Sequence, residues 1–207
     1  MNRYLIPAGN GESEYVEKRS SFLGHVRHIE TEDEAREFIA SVKKEHHDAR
    51  HNCWCYIIRG GAERYSDDGE PQGTAGIPML EVFRREGISD VVCVVTRYFG
   101  GVLLGAGGLL RAYTKAAKDS LDDAGIAEIR TWQGAEIRCP YSSMEKFKLE
   151  TASFGGTVEQ IDYGANVVLS VLIPEENYLP FADRIFDISA GSVKAEKTSQ
   201  KLFPAKL

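Results

Sequence analysis

Three carboxylates stand close together at Asp67, Asp68 and Glu70, within the segment Ser66-Asp67-Asp68-Gly69-Glu70-Pro71-Gln72-Gly73-Thr74-Ala75-Gly76. Such neighbours repel one another unless a cation, a set of backbone amides or water takes up the charge. One chemistry for them is a divalent-metal site or an acid/base pair, as a metal-assisted hydrolase or a phosphate-handling enzyme would need. The plainer reading is a turn, because Asp, Gly and Pro form turns through their own backbone chemistry. Composition alone favours the turn.

A second segment, Thr96-Arg97-Tyr98-Phe99-Gly100-Gly101-Val102-Leu103-Leu104-Gly105-Ala106-Gly107-Gly108-Leu109, leaves an apolar run and enters a helical pattern. Free amides at a helix start attract anions, and Gly100, Gly101, Gly105, Gly107 and Gly108 let a ligand approach the backbone. Arg97 can pair with a phosphate while Tyr98 or Phe99 stacks on a base. Equally, Arg97 can meet a neighbouring acid while the two rings pack the core. The segment is too long for a dinucleotide fingerprint and has no Gly-Lys-Ser/Thr ending, so it is no P-loop.

Other groups point to less. Arg111, Lys115 and Lys118 form a cationic stripe, but Asp119 and Asp122 each follow a Lys by four residues and predict a solvated, self-paired face. His51, Cys53 and Cys55 alternate along one short segment; zinc accepts such ligands, yet no Cys-x-x-Cys accompanies them and a core role is favoured. His46-His47 follow a helix and read as surface. Cys93 lies inside an apolar run, which argues against a reactive thiol. No Gly-x-Ser-x-Gly elbow is present. The reading therefore assigns no catalytic residue, no metal ligand and no cofactor.

The elements that must position these loops follow from periodicity. Glu14 to His28 reads as a strand or hairpin. Thr31 and Glu34 make a capping box before a helix to His46, with Ala35, Phe38, Ile39 and Val42 on one stripe. His51 to Arg59 is a strand, Pro78 to Glu86 a short helix stopped by Gly87, and Asp90 to Thr96 a strand buried on both faces. Leu110, Tyr113, Ala117 and Leu121 mark one side of the helix that ends at Gly125. A strand at Ile126 to Thr131 precedes a boundary at Trp132 to Gly134. Then come a strand at Ala135 to Cys139, a helix capped by Ser142, two strands, a helix from Glu175 to Ile188 and a strand from Ser192 to Phe203. The second half is thus β-α-β-β-α-β, the ferredoxin-like order. The fold class is α+β, with domains at 1–132 and 133–207.

The 207 residues carry 25 Lys and Arg against 31 Asp and Glu, a net charge of -6, with 43% hydrophobic residues. This balance is that of a globular protein and excludes one that coats nucleic acid by bulk charge. No apolar run is long enough to span a membrane, and the first ten residues lack a signal pattern. The four cysteines (Cys53, Cys55, Cys93, Cys139) are too few for a disulfide scaffold. A cytoplasmic location is expected.

Taken together, Asp67-Asp68-Gly69-Glu70-Pro71, Gly73-Thr74-Ala75-Gly76 and Arg97-Tyr98-Phe99-Gly100-Gly101 with Leu104-Gly105 resemble the signature of the YigZ/IMPACT family. The likeness extends to Lys18 to Phe22, His51 to Trp54 and Gly108 to Tyr113, and suggests a bacterial two-domain member. It implies a first domain similar to the second domain of ribosomal protein S5 and to domain IV of elongation factor G. It implies a second, ferredoxin-like domain similar to domain V of that factor. Those relatives touch RNA or the ribosome, and eukaryotic members regulate translation by restraining a stress kinase. RNA or the ribosome is therefore the expected partner, a translation-related protein the alternative, with no membrane. Lys18, Arg19, Arg97, Tyr98, Phe99, Gly100 to Gly108 and Arg111 are the expected anion and base platform. Asp67, Asp68, Glu70, Gly73 and Thr74 would brace the loop or hold a metal. At Ile77 the resemblance leads us to expect a basic residue.

Overall fold

The computed structural model describes residues 3–207, and it bears out a mixed α/β chain with antiparallel sheets. The chain divides into two units. One comprises Tyr4–Glu128 with Pro204–Leu207, the other Arg3 with Ile129–Phe203.

In the first unit the strands are β1 (Tyr4–Pro7), β2 (Gly11–Glu17), β3 (Ser20–His28), β4 (His51–Ile57), β5 (Glu63–Ser66) and β6 (Val91–Tyr98). The helices are α1 (Glu32–Glu45), α2 (Gly76–Glu86) and α3 (Gly105–Ala124). One sheet runs in the order β2-β3-β6-β4-β5. The central strand β6 explains its own sequence. Val91, Cys93 and Val95 pack with Met79, Phe83, Tyr113 and Leu121 from α2 and α3. Val92 and Val94 pack on the opposite face with Ala35, Ile39 and Val42 of α1. A strand covered by helices on both faces needs apolar residues at every position, which removes the usual alternation.

The capping box of α1 forms as read: the Glu34 amide donates to Thr31 Oγ1 at 3.2 Å, and the Thr31 amide donates to the Glu34 carboxylate at 3.1 Å. α2 stops at Gly87, which adopts the left-handed conformation (φ 69°). On α3 the buried stripe is Leu109, Ala112, Tyr113, Ala116 and Ala117 onward, whereas Leu110 is exposed. The expected stripe was one residue off at its start. Neither β1 nor β5 was anticipated; each has four residues, too few to show a period.

The second unit is built from β7 (Ile126–Cys139), α4 (Met144–Ser153), β8 (Thr157–Tyr163), β9 (Val167–Pro174), α5 (Tyr178–Ile188) and β10 (Ala195–Lys206), with Ile126–Glu128 of β7 and Pro204–Lys206 of β10 counting to the first. The strands lie in the order β10-β7-β9-β8. Ala135, Ile137, Leu169, Val171, Phe147 and Phe181 join its core. Two strands were expected between Ile126 and Cys139; one continuous strand is found. The expected boundary at Trp132 to Gly134 falls inside this strand, and glycine is needed at 134 because β10 approaches closely. A Cβ there would fall 2.4 Å from Thr198 Oγ1. Ser142 is not the cap of α4. A single 3₁₀ turn, Tyr141–Ser143, leads into that helix without a side-chain cap.

Candidate functional site

Strand parity sets the site. Successive side chains of β6 point to opposite faces. Arg97 therefore shares the α2/α3 side with Val95, and Tyr98 points to the α1 side. Arg97 is buried, and its Nη1 lies 2.6 Å from Glu70 Oε1. The Tyr113 hydroxyl donates to the same oxygen at 2.9 Å. Burial, then the neighbouring Cys53 and Glu70, push the Tyr113 hydroxyl far above its ordinary pKa, so it stays a donor. Of the two open readings of Arg97, the structure shows the one in which it meets an acid. Its Nε has no hydrogen-bond partner among the described residues.

Tyr98 departs from the expected platform. Its hydroxyl donates to Asp48 Oδ1 at 3.0 Å and lies 3.0 Å from His46 Nδ1, on the face away from Arg97. Phe99, beyond the strand end and 39% exposed, is the ring that stands beside Arg97, with the guanidinium carbon 5.5 Å from the ring centre.

The first loop is held by its own carboxylates. Asp67 accepts from the amides of Gly73 (2.8 Å), Ala75 (3.1 Å) and Gly76 (2.8 Å). It thus caps α2, a task that the Ala75 side chain cannot perform. Asp68 accepts from Lys43 Nζ and from the Asn52 amide, each at 2.7 Å. Its carbonyl oxygen accepts from His51 Nδ1 at 2.8 Å, so that nitrogen carries a hydrogen. Asp68 and Gly69 both have positive φ (43° and 86°), and the Glu70 amide closes this turn onto the Asp67 carbonyl at 2.9 Å. Gly73 also has positive φ, and the Thr74 hydroxyl donates to the Pro71 carbonyl at 2.6 Å. Asp67, Asp68 and Glu70 thus serve three different sets of donors. Among the described residues no three His, Cys, Asp or Glu side chains gather to hold a metal.

The two loops meet. A cleft of about 310 Å³ has Gly69, Glu70 and Pro71 on one side and Phe99, Leu103 and Leu104 on the other. Arg97, Arg50, His51 and the first turn of α3 complete it. That turn has no side-chain cap and no acidic residue. Gly105 takes a positive φ of 73° to enter the helix. Arg111, one turn on, is exposed and reaches back toward Gly107: a Cβ there would lie 3.6 Å from Arg111 Nη1. The exposed Arg50 guanidinium sits 5.7 Å from the Phe99 ring centre. Arg50 was not foreseen, because its meeting with Phe99 is tertiary and leaves no local pattern.

Lys18 and Arg19 form the exposed β2–β3 turn, both with positive φ (47° and 67°). They flank the second loop without lining the cleft. The Gly100 amide donates to Ser20 Oγ at 3.2 Å, and a Cβ on Gly100 would come within 2.1 Å of the Arg19 carbonyl. Gly101 also has positive φ and Gly108 follows the cleft on α3. Lys115 and Lys118 pair with Asp119 and Asp122 as expected. Cys53, Cys55 and Cys93 are buried free thiols. Ile77 is exposed on α2, outside the cleft.

Comparison with known proteins finds relatives of the chain. The model of the Impact N-terminal domain matches residues 18–121, and that of a domain of unknown function, DUF1949, matches residues 137–192. The chain is 36% identical over 193 residues to the IMPACT family member YvyE of Bacillus subtilis (strain 168), covering 92% of this chain and 89% of that one. It is 32% identical over 198 residues to the IMPACT family member YigZ of Escherichia coli (strain K12), covering 94% and 97%. A solved crystal structure described only as that of a hypothetical protein matches with a TM-score of 0.60 at 32% identity, covering 96% of this chain and 98% of that one.

Proposed function

This chain belongs to the IMPACT family, and from that premise we propose that it is a non-catalytic cytoplasmic binding protein acting on translation through RNA, the ribosome or a translation factor. One observation carries the reading: both signature loops converge on a single cleft with an exposed ring (Phe99), arginines (Arg50 and Arg97) and an uncapped helix start. Helix amides and guanidiniums suit phosphate, and an aromatic face suits a base. Exposed Lys18, Arg19 and Arg111 stand around it and add charge along a backbone path. The three first-loop carboxylates act as braces in this reading.

We read the first unit as similar to the second domain of ribosomal protein S5. We read the second as ferredoxin-like and similar to domain V of elongation factor G, supported by its βαββαβ order and β10-β7-β9-β8 sheet. The fold is an analogy, and the cleft is what supports function.

The test is purification of the full chain at low salt, with and without nuclease, followed by identification of what accompanies it. The expected result is RNA or ribosomal material that disappears on nuclease treatment or above roughly 0.3 M salt, because phosphate contacts are screened. A preparation that carries nothing at low salt would overturn the reading.

A further inference from the structure

Two large aliphatic side chains stand exposed outside the cleft, Ile77 on α2 (39%) and Leu110 on α3 (45%). They line one groove of about 420 Å³ between these helices, together with the buried Pro78 and Val82. The groove shares no lining residue with the cleft. Ile77, Glu81 and Arg85 line it from α2, and Leu110, Thr114 and Lys118 line it from α3. Residues four apart form a ridge along a helix, so two ridges make the walls. Each starts with an aliphatic side chain and reaches a cation about 12 Å further on. The charges there are unequally used. Glu81 is taken by Arg84, and Glu86 by Lys118 at 3.2 Å. Asp119 and Asp122 are taken by Lys115 and Lys118. Arg85 is exposed and has no ion pair among the described residues. No aromatic ring lines the groove, so a nucleic-acid base finds nothing to stack on.

We infer that this groove takes an acidic amphipathic helix of a partner protein. An apolar residue of that helix packs against Ile77 and Leu110, and a carboxylate about seven or eight positions away meets Arg85. Two turns separate such positions on one helix face, which is also the spacing along the groove walls. The unpaired guanidinium sets the sign. Where the neighbouring carboxylates are already occupied, an incoming acid gains an ion pair and an incoming base meets repulsion. The inference goes beyond the cleft and does not rest on the reading given for it.

The experiment selects binders of the full chain from a displayed library of helical peptides of about 16 residues. The selected sequences are then titrated as synthetic peptides by fluorescence anisotropy. They should carry an apolar face with a carboxylate about two turns from its anchor residue. Leu110→Asp should weaken them at least ten-fold. Arg85→Glu, a change at an exposed position that keeps the fold, should weaken them at least three-fold. Replacing the peptide carboxylate by Lys should restore binding to Arg85→Glu and weaken binding to the unaltered chain. A library that yields no binder, or binders indifferent to both variants, or binders that are basic, would overturn the inference. So would displacement of the peptides by an oligoribonucleotide, which assigns the groove to nucleic acid. Sedimentation of the chain alone is the last arm: a dimer dissolved by Leu110→Asp would assign the groove to a second copy and overturn it.

Discussion

Arg97 Nη1 and Glu70 Oε1 stand 2.6 Å apart with both side chains almost fully buried, and this contact ties the two signature loops together. Glu70 sits in the first loop and Arg97 at the end of the strand that feeds the second. The pair therefore fixes the distance across the cleft. The Arg97 guanidinium carbon also lies 5.5 Å from the ring centres of both Phe22 and Phe99, within cation–π range of each.

Removing one partner of this pair is expected to strand a buried charge. Arg97→Ala or Glu70→Ala should each lower unfolding free energy by about 3–5 kcal/mol. The double variant Arg97→Met with Glu70→Leu should cost markedly less than the sum, because neither charge is left behind. Tyr113→Phe removes only a neutral donor and should cost about 1 kcal/mol. Urea denaturation of the four variants measures this, and additive losses in the double variant would refute the coupling.

Asp67 supports a prediction about the first loop. Its carboxylate accepts from three backbone amides at the start of α2. Asp67→Ala should destabilise by about 1–3 kcal/mol and speed hydrogen exchange at Gly73, Ala75 and Gly76. Asp67→Asn keeps an acceptor oxygen but loses the charge, so it should fall between the two. Unchanged exchange at these amides in Asp67→Ala would show that the loop holds itself without the cap.

Much of this architecture was legible beforehand, for identifiable reasons. The capping box at Thr31 and Glu34, the doubly buried run of β6 and the Gly87 stop are local signals, complete within a few residues. The site was legible in its segments and not in its faces. Arg97 and Tyr98 are neighbours on a strand, so they cannot share a platform; parity alone excludes it. The partner of Arg97 is a Glu 27 residues earlier, and Arg50 meets Phe99 from another strand's start. Such meetings depend on sheet order, which periodicity does not encode. Asp67, Asp68 and Glu70 look like one acidic cluster in sequence, yet the turn at Asp68-Gly69 aims them at separate donors.

A pH prediction follows from His25. Its ring centre lies 5.4 Å from that of His46, and the Nε2 of each is buried without a partner among the described residues. Burial, then the neighbouring His46, lower the His25 pKa, while Glu12 and Glu45 oppose the shift. The unfolded chain, with an ordinary value near 6.5, thus binds this proton more readily than the folded one. Stability should be flat above about pH 7 on this account. It should fall as pH drops through about 6.5 and continue to fall until folded His25 protonates. Urea midpoints between pH 7.5 and pH 5 measure it, and His25→Gln should flatten the profile. An equally steep profile in His25→Gln would assign the loss to other groups.

Gly100 links the second loop to the β2–β3 turn. A Cβ there would fall 2.1 Å from the Arg19 carbonyl, closer than any backbone shift of a few tenths of an ångström can relieve. Gly100→Ala should therefore destabilise by about 1–3 kcal/mol and displace the Lys18-Arg19 turn. Gly107→Ala is the control, since nothing but the flexible end of Arg111 lies near its Cβ. It removes helical glycine and should be neutral or stabilising by up to about 1 kcal/mol. Thermal melts of the two variants compare them directly, and equal effects would remove the close approach as a cause.

The exposed cations give the final prediction, which concerns the proposed binding. Arg50 lines the cleft, whereas Lys18 and Arg19 stand outside it on their turn. If all three contact phosphate, each removal lowers the salt dependence by one contact, a change in log–log slope of about 0.7 for single strands. Arg50→Ala should also weaken a single-stranded oligoribonucleotide more than either turn variant does, because Arg50 lines the cleft and the turn does not. Titrations of the three variants at several salt concentrations measure both effects. Equal losses in Arg50→Ala, Lys18→Ala and Arg19→Ala would show that the cleft adds nothing beyond charge.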